Sequence, residues 1–138
     1  MPRRRPAAVR ASVTGRAGHG AELVRGLSGA ASEAVARLEA RAFGAGAVGQ
    51  AFSTWMRSVQ GPARRMRFSD DYCGLDECCR PHLAARDLLE SAALRLPARA
   101  AGELRDLLKP YDEIFESRSL ADPGAPASAW WWRRRFVP

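Results

Sequence analysis

DECCRPHLAARDLLESAALRLPARAAGELRDLLKPYDEIFESRS, residues 76–119, is the stretch that decides the fold. Within it Ala85, Leu88, Leu89, Ala92 and Leu96 recur at spacings that line one face of an α-helix. Pro97 then breaks the chain and suits the first position of a new helix. A second stripe follows, made of Ala101, Leu104, Leu108, Tyr111 and Phe115. The segment predicts a helical hairpin with a short corner at Leu96 and Pro97. Pro110 falls inside the second helix and either kinks or restarts it, because its ring clashes with the preceding turn. Asp112 and Glu113 would suit a restarted first turn, where the helix dipole favours anions.

Upstream, the same periodicity runs from Ala21 through Val24, Leu27, Ala31, Val35, Leu38 and Ala42, ending at GAGAVG, residues 44–49. Val48, Ala51, Phe52, Trp55 and Val59 mark another amphipathic helix, stopped by Gly61 and Pro62. Pro2, Pro6, Gly15, Gly18 and Gly20 oppose a helix before Ala21, so residues 1–20 are expected to form a flexible basic arm. ADPGAPASA, residues 121–129, has linker composition, and WWWRRRFVP follows it. The expectation is a mainly α protein, a bundle of four or five helices. It places one helical domain over residues 21–120 and an irregular linker and Trp/Arg-rich tail over 121–138. Composition agrees, because Ala, Leu, Arg and Glu dominate and Ile114 is the sole isoleucine in 138 residues.

The net charge of +7 is unevenly spread. Twelve arginines against three glutamates give residues 1–67 a charge of +9. Residues 68–122 carry −5, and the last sixteen residues carry +3 from Arg133, Arg134 and Arg135. A basic half and a basic tail thus flank an acidic module, a pattern that suits a polyanion partner or pairing between the opposed charges. No apolar run behind the first arginines is long enough for a signal peptide, and no transmembrane stretch of 18 apolar residues exists. Three cysteines fit a reducing compartment better than a disulfide scaffold, so a cytoplasmic location is expected.

All three cysteines lie in DDYCGLDECCRPH, residues 70–82. Pro81 belongs in the first turn of a helix, which puts the cap near Cys78 or Cys79 and His82 about one turn in. Cys73 sits in a loop with Gly74 that can fold back. The set Cys73, Cys78, Cys79 and His82 offers thiolate and imidazole ligands of the kind that hold zinc tetrahedrally. Two other readings compete with it. One is inert thiols serving as small hydrophobes. The other is a reactive thiol at a helix start beside Arg80, which Asp76 and Glu77 oppose. Phosphate-loop, nucleophile-elbow, zinc-protease and calcium-loop motifs are all missing, so no catalytic residue is nominated.

Tryptophan beside arginine can stack on bases and neutralise phosphates, which nominates Trp131, Arg133, Arg134 and Arg135. Arg3, Arg4, Arg5, Arg64 and Arg65 have no acid within four residues, Arg67 lies three before Asp70, and all six suit sequence-independent phosphate contacts. The leading expectation is a small non-enzymatic helical protein that binds nucleic acid or a ribonucleoprotein, with zinc as the candidate ion of the cysteine cluster. An alternative is a protein-interaction adaptor that docks a partner, or self-associates, through the acidic leucine-rich hairpin. A third is a metal- or thiol-dependent enzyme.

Overall fold

The computed structural model describes residues 22–67 and 73–138. The expectations for the arm, including Arg3, Arg4 and Arg5, lie outside the described residues. Four helices make the body: α1 (Gly29–Leu38), α2 (Ala47–Gln60), α3 (Pro81–Arg95) and α4 (Ala98–Arg118). Shorter turns at Glu39–Phe43, Ala63–Met66 and Asp76–Cys79 lie between them, and a further one, Trp131–Arg134, follows α4. A two-residue antiparallel ladder pairs β1 (Leu120–Ala121) with β2 (Arg135–Phe136). No helix among the described residues is long and apolar enough to cross a membrane.

The first helix begins later than its periodicity predicts. Gly26 takes a left-handed φ of 98°, and Ser28 caps α1 by accepting a hydrogen bond from the Ala31 N–H at 3.2 Å. Val24 is still buried, but as part of an extended approach rather than a helix turn. Ser28 in turn donates from its hydroxyl to Glu103 of α4 at 2.8 Å, tying the two helices together.

The start of α2 borrows its cap. Gly46, at φ 79°, has no side chain to offer, and the first turn carries no acid. The buried Glu39 carboxylate fills the role, accepting from the Val48 N–H at 3.0 Å where the helix dipole favours an anion. The predicted stripe of Val48, Ala51, Phe52, Trp55 and Val59 is buried throughout. Gly49 lies so close to the preceding segment that a Cβ there would meet the Glu22 carbonyl oxygen at 1.9 Å. At the other end, Arg118 donates to the Val59 and Gly61 carbonyls at 2.5 and 2.7 Å, satisfying groups that α2 leaves unpaired.

The hairpin of α3 and α4 forms as predicted, with Leu89, Ala92, Leu96, Ala101, Leu104, Leu108 and Phe115 in the core. Pro97 is the residue before α4 rather than its first position, and Pro110 lies within a single helix. The irregular tail packs back onto the helical body. Trp132 is 2% exposed and Val137 is buried. The last residues fold back along the end of α4 through the β1–β2 ladder, in the register Leu120 to Phe136 and Ala121 to Arg135.

At the centre lies a charged network. Arg86 of α3 is 4% exposed, and its guanidinium grips Asp112 of α4 through two hydrogen bonds at 3.0 and 2.9 Å. Its remaining arm reaches Glu90 at 3.2 Å. The buried Trp55 indole donates to the same Asp112 at 3.0 Å, and the Trp132 ring lies 4.2 Å from the Arg86 guanidinium carbon. Removing one partner of such a pair strands the other charge away from water. Arg86→Met is therefore expected to lower stability by about 3 kcal/mol, with partial recovery in the double variant carrying Asp112→Asn. Urea unfolding of the two variants checks this; equal losses would show that the stranded carboxylate is not the cause.

Candidate metal centre

Proline dictates the geometry of the cysteine segment. The residue before a proline is pushed out of the α region, and Arg80 accordingly adopts φ −137° and ψ 55°. The helix entrance is therefore split in two. A single turn, Asp76–Cys79, ends at Arg80, and α3 starts afresh at Pro81. Gly74, with a φ of 91°, sits where Cys73 comes back beside this short turn.

The result brings Cys73, Cys78 and Cys79 together, with their Sγ atoms all within 4.8 Å of one another. The Cys79 thiol donates to Cys73 Sγ at 3.1 Å, and the Cys73 N–H points to Cys79 Sγ at 3.3 Å. Cys73 and Cys78 are exposed and Cys79 is half-buried, and all three are free thiols. Their protons are shared unequally. The hydrogen bond from Cys79 lowers the Cys73 pKa, and contact with Cys73 and Cys79 raises that of Cys78 to about 11. A cation placed among the three sulfurs would displace these protons.

His82, nominated as the fourth ligand, stands outside this group. The expectation assumed one helix from Cys78 through His82, so that residues three or four apart shared a face. The break at Arg80 removes that relation. His82 instead turns inward, 3% exposed, with its ring 6.3 Å from Phe115. Burial, then the positive charges of Arg133 and Arg80, lowers its pKa to about 4.

The tail nominated for nucleic acid is largely committed within the molecule. Arg133 pairs with Asp76 at 2.7 Å and Asp87 at 2.5 Å. Burial opposes its charge, but the two carboxylates outweigh that and raise its pKa. Trp132 donates to Asp87 at 2.8 Å. Arg135 donates to the Ser119 hydroxyl and carbonyl and to the Glu116 carbonyl at 2.8–3.0 Å. Trp131 is half-buried and packs its ring 6.1 Å from Phe115. It also borders a groove of about 610 Å³ with Arg134 and Asp122.

Arg134, Arg64 and Arg65 are exposed. Arg67 is exposed as well and donates to the Pro138 backbone oxygen at 2.7 Å. Asp87 and Asp76 were not nominated from sequence as partners of the tail. The available signal was the −5 charge of their module facing three consecutive arginines.

No protein-family model, curated protein or solved structure matches the chain.

Because the His82 pKa is depressed on folding, the unfolded chain binds a proton that the native protein rejects. The associated stability is fully present above pH 6.5 and is lost as pH falls towards 4, a total of roughly 3 kcal/mol. Denaturant titrations at pH 7, 5.5 and 4.5 should reveal this slope in the parent and a shallower one in His82→Phe. Parallel slopes would mean that His82 is not the responsible group.

Proposed function

We propose that this is a small non-enzymatic helical protein that holds a thiophilic metal ion, with zinc as the first candidate, on Cys73, Cys78 and Cys79. The observation that carries this reading is the convergence of three thiol sulfurs within 4.8 Å. Thiolates select soft or borderline ions such as zinc and monovalent copper over magnesium or calcium. The ion would have a structural role, fixing the Gly74 loop and the Asp76–Cys79 turn to each other at the entrance of α3. His82 has no part in this ligand set.

Cobalt substitution tests the proposal. Reduced protein titrated with cobalt should develop a thiolate-to-metal absorption band that saturates at one ion per chain and is bleached by zinc. Cys73→Ser, Cys78→Ser and Cys79→Ser should each weaken the band and its affinity, whereas His82→Phe should leave both unchanged. An unaltered spectrum in any cysteine variant removes that residue from the set, and the lack of a band in the parent sinks the reading.

A second reading, binding to nucleic acid, is favoured by one observation. Arg64, Arg65 and Arg134 are exposed and form no ion pair among the described residues, unlike Arg86, Arg105 and Arg133. Each would neutralise a phosphate without reading sequence. The triple alanine variant at these positions should flatten the plot of log affinity against log salt by about 2 to 3 on RNA or DNA. A protein with no affinity at low salt excludes this reading and leaves the metal proposal intact.

A further inference from the structure

The three sulfurs are not equivalent neighbours. Cys79 Sγ lies 3.1 Å from Cys73 Sγ in a direct hydrogen bond, and the Cys73 N–H holds the same sulfur at 3.3 Å. A disulfide requires about 2.05 Å between sulfurs, so closure needs an approach of only about 1 Å. Of the two competing pairs, the Cys73 and Cys78 sulfurs lie within 4.8 Å of each other, and Cys78 and Cys79 are adjacent in sequence. Consecutive Cα atoms stand about 3.8 Å apart, shorter than the 4.4–6.8 Å that disulfides usually span. Cys73 is exposed and Cys79 is half-buried.

We propose that Cys73 and Cys79 form a reversible intramolecular disulfide that empties the metal site, with a low-molecular-weight disulfide such as oxidised glutathione as the oxidant. The ion-release part of this proposal rests on the metal reading; the sulfur chemistry does not.

The reaction is two thiol–disulfide exchanges. The Cys73 thiolate attacks one sulfur of the small disulfide, forming a mixed disulfide and expelling one thiolate. The Cys79 thiolate then attacks Cys73 Sγ, breaks the mixed bond and expels the second. Two protein thiols lose two protons and two electrons, and one small disulfide becomes two thiols. Cys78 is left as a single ligand, too few to retain the ion.

The break at Arg80 lets this occur at the edge of the fold. The cysteine turn ends there and α3 begins independently, so sulfur movement is not transmitted along a continuous helix.

The test uses the full chain, with and without one equivalent of zinc, incubated in oxidised glutathione. Free thiols should fall from three to one, and peptide mass mapping should find Cys73 joined to Cys79. Cys78→Ser should still form this link, whereas Cys73→Ser and Cys79→Ser should not. In the zinc-loaded sample a chromogenic chelator should register one ion released per link formed, and a dithiol reductant should restore binding.

A stable glutathione adduct on Cys73 without ring closure would overturn the proposal, as would a link involving Cys78. A link that forms while zinc stays bound would overturn the release step. A chain that binds no zinc yet forms the link refutes only the metal reading, and one that binds zinc but never forms the link refutes only the switch.

Discussion

Three parts of this fold meet at the Arg86 guanidinium. It lies in the interior of the bundle with Asp112 and Glu90 at its edge and the Trp132 ring 4.2 Å away. A charge so far from water is tolerable only when its hydrogen bonds are met. Meeting them specifies how three parts of the chain must sit. The registry of α3 against α4 follows from the Arg86 to Asp112 grip. The placement of α2 follows from the Trp55 indole on the same carboxylate. The tail follows from Trp132, which lies against Arg86 and donates to Asp87, the next residue on α3.

That arrangement explains why the tail behaves as part of the body. A two-residue ladder contributes little by itself, because short strand pairs are marginal in water. The burial of Trp132 and the double pairing of Arg133 with Asp76 and Asp87 supply the rest. Asp76 belongs to the same single turn as Cys78 and Cys79. The Arg133 guanidinium thereby links the last residues of the chain to the turn that carries Cys78 and Cys79.

Much of this was legible in the sequence, and the failures have physical causes. The stripes of α2, α3 and α4 were readable because burial at a period near 3.6 needs only local pattern. Convergence of the three cysteines was foreseeable from Gly74 and from their short separation. The position of His82 was not, because the spacing argument assumed an unbroken helix and gave too little weight to the effect of Pro81 on Arg80. The start of α1 was misplaced because apolar residues in an extended segment, such as Val24, can fall on a helical period by chance. The carboxylates that receive the tail were not legible, because Asp76 and Asp87 lie more than forty positions away from Arg133 and no local pattern reports such pairings.

The close approach at Gly49 sets two measures of fitness against each other. Judged as a helix residue, glycine is a poor choice, and alanine would favour α2 by up to ~1 kcal/mol. Judged as a surface, it is the only residue whose outline admits the Glu22 carbonyl. A methyl group there would have to evict the strand of backbone that leads into α1, loosening the seat of the buried Val24. Residue 49 acts as a keyhole, and the substitution that improves its own helix spoils its neighbour's fit.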